Sequence, residues 1–368
     1  MLSESEKKAL SEIREQIDAI DQEIQHLINR RAACAQKVAD IKTRSLVDAD
    51  QAVFYRPERE AQVLRRVKES NEGPLDAEEM ARLFREIMSA CLALEKPMHI
   101  AFLGPEGTFT QAAALKHFGH SVVSVPRVAI DEVFREVESG AAHYGVVPVE
   151  NSTEGMVSQT LDMFMSSPVK ICGEVQLRIH HLFLAAEEAR PEDIVRVYSH
   201  QQSFAQCRQW LEANWRNVAR VTVSSNAEAA KKAKTEPGSA AIAGAMSAQI
   251  YGLQTMAENI EDRPDNTTRF LIIGRENVLP SGHDKTSILV SMRNRPGALY
   301  RVLEPFHRHA ISLTRIETRP SPNGTWAYVF YIDFEGHVDD EKVVLVLDQL
   351  AAEAVELKTL GSYPVGVL

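Results

Sequence analysis

The chain has 368 residues, 44% hydrophobic and 25% charged, with a formal net charge of −10. That length predicts two to four domains, each able to bury its own core. The acidic balance opposes a nucleic-acid role, which needs a broad basic face, and isolated cations on such a chain suit small anionic ligands better than polyanions. The four cysteines, Cys34, Cys91, Cys172 and Cys207, have no CxxC spacing. They read as reduced and mostly buried thiols, not as a metal site or a disulfide frame. The start, MLSESEKKAL, has no apolar h-region and no long uncharged apolar run follows, so a soluble cytoplasmic protein is expected.

Residues 1–96 read as helical throughout. Leu10, Ile13, Ile17, Ile20, Ile24, Leu27, Arg31, Cys34, Val38 and Ile41 step by three and four, the heptad pattern of a helix packed along a partner. No Pro or Gly interrupts the chain before Pro57. Arg31 occupies a seam position where a leucine belongs, and a guanidinium there is costly unless an anion meets it. Arg31 and Lys42 lie about 16 Å apart along the axis at 1.5 Å per residue, close enough to converge on one small dianion. Arg14 is about 25 Å from Arg31 by the same rise, too far to join them in its own chain. In an antiparallel copy crossing near residue 25, the partner's Arg14 falls between the two. The pattern predicts a symmetric dimer with shared sites, or a plain dimerisation coiled coil with one polar register-setter. Further helices are expected from Pro57 to about Ser70 and, after a capping-box-like Asp76 and Glu79, to about Glu95.

From His99 to about residue 276, strands and helices alternate. His99–Leu103 runs into GPEGTF, Gly145–Val149 into ENSTEG, Val195–Tyr198 into SHQQSF and Ala240–Ala243 into Gly244. Each junction sets small polar residues at a helix N-terminus, where free backbone N–H groups favour anions. Several such junctions facing one crevice make a carboxylate-binding cleft. From about residue 285 the order is strand Ser287–Met292, helix Ala298–His309, strands Ile311–Thr318 and Thr325–Phe334, helix Asp339–Ala352 and strand Val355–Leu360. That βαββαβ order is ferredoxin-like. Residues 280–283 read as a linker.

These motifs resemble the bifunctional chorismate mutase/prephenate dehydratases over nearly the whole length. GPEGTF, VENSTEG, SHQQSFAQC and NTTRF (residues 266–270) occur in the family's order, and GALY and ETRP are similar to its GALV and ESRP phenylalanine-binding motifs. The resemblance implies three domains: an all-α mutase at 1–96, an α/β dehydratase of two lobes like a periplasmic binding protein at 97–277, and an α+β ferredoxin-like ACT regulatory domain at 285–368. It implies conversion of chorismate to prephenate and of prephenate to phenylpyruvate, with feedback by L-phenylalanine and no metal or cofactor.

By the same resemblance, Arg31 and the partner's Arg14 take the substrate carboxylates. Lys42 reaches the ether oxygen, Glu60 holds the ring hydroxyl, and Arg59 positions Glu60. The chain departs from the best-known form in carrying Arg56 for an aspartate, Cys91 for a serine and Glu95 for a glutamine. A protonated Glu95 can donate to the ether oxygen; an ionised one repels it. In the dehydratase, Thr268 is the expected donor to the leaving oxygen, and Asn151 and Gln202 are expected at the substrate. Arg269 is either a carboxylate partner or a brace for its loop. Ser199, Thr108 and His200 are weaker candidates, with ordinary helix capping as the alternative for Thr108 and Ser199. The second lobe is expected over roughly 178–264, with Thr268 on the cleft floor where the chain returns. In the ACT domain Gly297, Ala298 and Leu299 form an anion nest, with Glu317, Thr318 and Arg319 on the next strand. Two rival readings are an amino-acid sensor without activity, and a dehydratase whose N-terminal helices only dimerise.

Overall fold

An unbroken amphipathic run gives the longest element. In this computed structural model, which describes residues 3–44, 55–293, 295–320 and 328–368, α1 is one 41-residue helix (Glu4–Arg44). Ser3 and Glu6 cap it reciprocally: the Glu6 N–H donates to Ser3 Oγ and the Ser3 N–H to Glu6 Oε2. Acidic residues in its first turn and Lys42 and Arg44 in its last complement the helix dipole. Its seam is bare: Leu10, Ile13, Ile17, Ile20, Ile24 and Leu27 are 41–56% exposed.

The expected absence of any breaker up to Pro57 falls partly on residues 45–54, outside the described ones. α2 (Pro57–Glu69) opens on a proline at its first position, where no N–H is needed. α3 (Ala77–Ala93) is capped by Asp76, which accepts from the Glu79 N–H at 2.7 Å. Leu64, Ala81 and Met88 form the small core between α2 and α3.

The middle of the chain builds two lobes. The first contains β1 (His99–Leu103), α4 (Phe109–Phe118), β2 (Val123–Arg127), α5 (Ile130–Ser139), β3 (Tyr144–Asn151), β4 (Gly155–Met156), α6 (Ser158–Ser166) and β5 (Lys170–Arg178). The second contains β6 (Leu182–Ala186), β7 (Arg196–Ser199), α7 (Gln201–Gln206), α8 (Arg208–Asn214), β8 (Ala219–Thr222), α9 (Asn226–Thr235), β9 (Ser239–Ala243), α10 (Ala245–Tyr251) and β10 (Leu253–Ala257). The chain then returns through β11 (Thr267–Gly274) to the first sheet, ordered β2-β1-β3-β11-β5 with β4 on β3; the second sheet runs β10-β6-β9-β7-β8. The expected return through the NTTRF strand is therefore observed, and β11 lies between β3 and β5, antiparallel to both.

The last region contains β12 (Asp284–Met292), α11 (Ala298–Arg308), β13 (Leu313–Pro320), β14 (Tyr328–Glu335), α12 (Glu341–Glu353) and β15 (Glu356–Pro364). Its sheet order, β13-β14-β12-β15, with the expected βαββαβ succession, is ferredoxin-like. The expected start of β14 at Thr325 lies outside the described residues.

Side-chain alternation explains how these parts join. Along β14, Phe330, Ile332 and Phe334 pack on their own helices, whereas Val329 and Tyr331 enter the core of the first α/β lobe. Along β11, Leu271 and Ile273 face that shared core, and Phe270 and Ile272 face α4. The inner strands β12 and β14 are thus buried on both faces, while the edge strand β13 stays partly exposed. The other edge approaches closely: a Cβ on Gly361 of β15 would lie 2.2 Å from the Ile171 carbonyl oxygen of β5. Gly361→Ala is expected to destabilise the protein by about 1–3 kcal/mol. The measurement is a denaturant midpoint, with Gly73→Ala, whose nearest neighbour would be 3.8 Å away, as the control. Indistinguishable midpoints would refute the close approach.

Candidate active sites

The N-terminal cluster forms where the end of α1 meets the end of α3. Glu95 shares its surroundings with Lys42 and Arg31, and burial raises its carboxyl pKa against the pull of both cations. Burial likewise lowers Lys42, with Glu95 and Glu58 opposing the shift and Arg56 adding to it. Glu95 Oε2 is buried and has no hydrogen-bond partner among the described residues. Arg31 is half-buried, Cys91 buried and Arg14 exposed.

Glu60 is placed differently from the sequence expectation. Its Oε1 lies 3.1 Å from Arg85 Nε and 3.4 Å from the Tyr55 hydroxyl, which in turn lies 3.1 Å from His117 Nε2. Burial raises the Glu60 pKa against Arg85 and Tyr55. Two residues on a helix are rotated by about 200°, so Glu58 and Glu60 cannot serve one side together. Glu58 is the one near Lys42, and its Oε1 is 3.8 Å from Arg56 Nη1. Arg59 is exposed, and Glu60 pairs with Arg85 rather than with it.

The second cluster lies between the lobes. Thr268 and Asn151 are opposite residues on β11 and β3. Asn151 Nδ2 donates to Thr268 Oγ1 and to Asn266 Oδ1, both at 2.9 Å. Asn151 Oδ1 accepts from the Thr153 backbone N–H and hydroxyl. The Asn151 amide is therefore fully used within the protein. Thr268 accepts from it, and among the described residues no acceptor takes the Thr268 O–H, which leaves that proton available.

The network crosses to the other lobe. Asn266 Nδ2 donates to Gln206 Oε1 at 3.2 Å, and His181 Nε2 lies 2.8 Å from the same oxygen. That oxygen can only accept, so Nε2 carries the imidazole proton and Nδ1 is a bare lone pair. His181 is buried, burial lowers its pKa, and Nδ1 has no partner. Ser247 Oγ donates to the Gly107 carbonyl at 2.8 Å and the Tyr251 hydroxyl to the Glu106 carbonyl at 3.2 Å, so the lobes also meet at the GPEGTF turn. Sequence reasoning missed Gln206 and His181. Gln206 stood inside SHQQSFAQC, but its neighbour across the crevice is 60 residues away.

The remaining candidates divide by their contacts. Gln202 is half-buried, and no partner for its side chain is found among the described residues. Thr108 caps α4, accepting from the Gln111 N–H, and its hydroxyl donates to the Leu103 carbonyl. His200, not Ser199, caps α7; Ser199 is fully buried and donates to Asn226 and to the Ile242 carbonyl. Arg269 has the contacts of a brace, not of a carboxylate partner in the cleft. Its Nε is 2.8 Å from Glu174 Oε2, Nη1 2.7 Å from Asp333 Oδ2 and Nη2 3.0 Å from the Tyr363 hydroxyl.

In the ferredoxin-like domain, Gly297 adopts φ +83° at the N-cap of α11, and Leu299 and Tyr300 are exposed. Arg319 is committed elsewhere: its guanidinium pairs with both oxygens of Asp162 on α6 and bonds Ser158 Oγ. Glu317 is half-buried on the same strand, and Thr318 is exposed. No group of metal-ligating side chains occurs among the described residues, and no described helix is long and apolar enough to cross a membrane.

A helical unit with a cationic cluster, a two-lobed α/β unit with a polar crevice and a ferredoxin-like unit define an enzyme with two sites and a regulatory domain. The chain matches the chorismate mutase type II family over residues 13–96, the prephenate dehydratase family over 100–278 and the ACT domain over 286–352. It is 63% identical over 364 residues to the bifunctional chorismate mutase/prephenate dehydratase of Stutzerimonas stutzeri, covering 99% of this chain and 100% of that protein. The Pseudomonas aeruginosa protein of the same name is 59% identical over the same share of each chain. Among solved structures, prephenate dehydratase from Arthrobacter aurescens in complex with L-Phe superposes with a TM-score of 0.68 at 34% identity, covering 73% of this chain and 90% of that one. The protein belongs to the bifunctional chorismate mutase/prephenate dehydratase family, and it is both an isomerase and a lyase.

Thr268→Val preserves shape and removes the free O–H. It is expected to lower dehydratase kcat by about 10²-fold, the cost of one lost transition-state donor. Mutase turnover in the same preparation should be unaffected. A dehydratase rate within twofold of wild type would remove Thr268 from the site.

Proposed function

We propose that the protein converts chorismate to prephenate at the α1/α3 cluster and prephenate to phenylpyruvate, carbon dioxide and water in the interlobe crevice. The observation that carries the first half is Arg31, Lys42 and Glu95 gathered within one half-buried cluster. A pericyclic rearrangement needs no nucleophile, only a held conformation and stabilisation of charge growing on the ether oxygen. Arg31 takes a carboxylate, while Lys42 and protonated Glu95 face the ether oxygen. The resemblance gives the ring hydroxyl to Glu60, but Glu60 is turned to Arg85 and Tyr55 while Glu58 is the α2 carboxylate near Lys42, so Glu58 takes that role. Arg14 enters from a partner subunit, and the bare apolar seam of α1 supports a homodimer in which the two long helices cover one another. An acidic chain with four free cysteines fits a cytoplasmic enzyme.

For the second half, the available Thr268 hydroxyl donates to the departing oxygen. Asn151 holds Thr268 from the side, and Gln202 is free to bind a substrate oxygen. Contacts between the lobes shield the crevice from water, which strengthens each polar interaction within it. L-phenylalanine binds the ACT domain at Gly297, Ala298 and Leu299, where a helix N-terminus offers N–H groups to its carboxylate, and at the β13 residues Glu317 and Thr318. The L-Phe complex of the Arthrobacter aurescens protein supports this effector.

Supplying chorismate to the full chain should give prephenate and then phenylpyruvate, with phenylpyruvate formation reduced by L-phenylalanine. Consumption of prephenate without turnover of chorismate would instead make the helices a dimer clasp. The pH profile adds a sharper expectation. Burial raises the Glu95 pKa, so the carboxyl is a donor below that value and a repelling anion above it. Mutase kcat should fall as pH rises through it, and Glu95→Gln, which always donates, should flatten the profile. An unchanged profile in the variant would refute the role of Glu95.

A further inference from the structure

The strands that carry Asn151 and Thr268 are irregular at that point. Phe270 pairs with Pro148 but Arg269 pairs with Glu150, so Val149 is an extra residue, a β-bulge. Pro148, with no N–H to give to a ladder, suits such a place. The bulge resets the alternation of β3. Val149 faces the core shared with the ACT sheet, and Glu150 faces the same way, toward Arg315 of β13. Asn151 is thereby turned to the crevice beside Thr268.

On the reverse face of these strand ends lies a chain of charges. Arg269, next to Thr268, pairs with Asp333 of β14 at 2.7 Å. Arg315 Nε lies 4.0 Å from the same Asp333 oxygen, and its Nη2 pairs with Glu150, next to Asn151. Ser287 Oγ donates to the other Asp333 oxygen at 2.6 Å. One ACT-domain carboxylate thus connects two cations, one of them the residue beside Thr268 and the other paired with the residue beside Asn151. The charged groups lining the small cavity here, among the described residues, are Arg269, Arg315, Asp333 and Glu317, and Asp333 pairs with both arginines, so the cavity has the character of a joint, not of a ligand site.

We propose that Asp333 is a positioning residue for the dehydratase reaction: through Arg269 and Arg315 it clamps, from behind, the end of β11 and the bulged end of β3, which present Thr268 and Asn151. The ladder resumes beyond the bulge, with Glu150 opposite Arg269 and Asn151 opposite Thr268. A bulge bends its strand, and the clamp fixes the angle at which the resumed pair meets the crevice. The proposal rests on the dehydratase reading of the crevice.

The test compares Asp333→Asn, Arg315→Met and Arg315→Lys in the full chain. Asp333→Asn and Arg315→Met should each lower dehydratase kcat about tenfold, as small misplacements of reacting groups do. KM for prephenate should stay within about threefold and mutase kcat within about twofold. Arg315→Lys, which keeps the charge, should recover most of the loss. The double variant should be no worse than the poorer single one, because the clamp acts as a unit. Hydrogen exchange gives a readout independent of activity: amides of residues 149–156 should lose protection in both charge-removing variants, while those of 182–186 do not.

Dehydratase kcat retained in Asp333→Asn overturns the proposal, as do multiplicative losses in the double variant or a parallel fall in mutase activity. If Asp333→Asn does not fold, equal rates and exchange for Arg315→Met and Arg315→Lys overturn it. A wild-type protein inactive on prephenate would sink the dehydratase reading alone, and exchange at 149–156 would still decide the clamp.

Discussion

The guanidinium of Arg269 is the charge on which the union of two domains depends. It is 7% exposed and would be intolerable there alone. Glu174 on the neighbouring strand, Asp333 and Tyr363 on the ACT sheet each meet a different nitrogen, and Lys285 neutralises the second Glu174 oxygen at 2.7 Å. Removing one partner from such a buried set costs about 3–5 kcal/mol, because the others are left charged and dry. The penalty makes the arrangement specific: the ACT sheet has one register against β11 and β5 that satisfies all of these groups. Hydrophobic burial supplies the adhesion, through Val329, Tyr331, Leu360 and Tyr363 entering the first lobe's core. The ions decide the geometry.

The mutase cluster shows the complementary situation. Its charges are incompletely matched within one chain. Glu95 keeps a buried oxygen without a partner among the described residues, and the apolar seam beside it is open. A dehydratase site assembled from two lobes is structurally finished by its own chain, whereas a 41-residue helix with a bare stripe is not. The two units therefore differ: the dehydratase unit is backed by the ACT sheet of its own chain, whereas α1 keeps an uncovered apolar stripe.

Local chemistry was readable from the sequence, and pairings across space were not. The helix caps at Asp76 and Thr108 and the βαββαβ order follow from periodicity and short-range capping residues, the return strand holding Thr268 was implied by the family resemblance, and the structure has them all. Glu60 shows the limit. A motif located the Arg59–Glu60 pair on α2, but which side of α2 meets α1 depends on packing against Arg85 and His117, residues of other elements. Arg269 admitted two readings because a single cation in a strand carries no record of the face it will occupy. Val149 is the clearest case: GVVPVEN reads as a plain apolar strand, and the bulge exists only relative to β11. His181 was invisible for the same reason, its significance resting on Gln206, 25 residues on.

Neither reaction of this family requires a covalent intermediate, and that shapes what the protein must provide. When catalysis is positioning and charge stabilisation, a misplaced donor costs as much as a missing one. Thr268 accepts from Asn151, and among the described residues nothing takes its own proton, so its placement rests on Asn151 and on the backbone beneath it. That backbone is bulged, and a regulatory sheet is packed against its reverse side by paired charges. An effector that shifts the ACT sheet by a fraction of an ångström has no need of a long route to the reacting atoms. Glu150 and Arg269 each stand one residue from a crevice side chain, and the alternation of a β-strand would convert a movement behind the sheet into a reorientation in front of it.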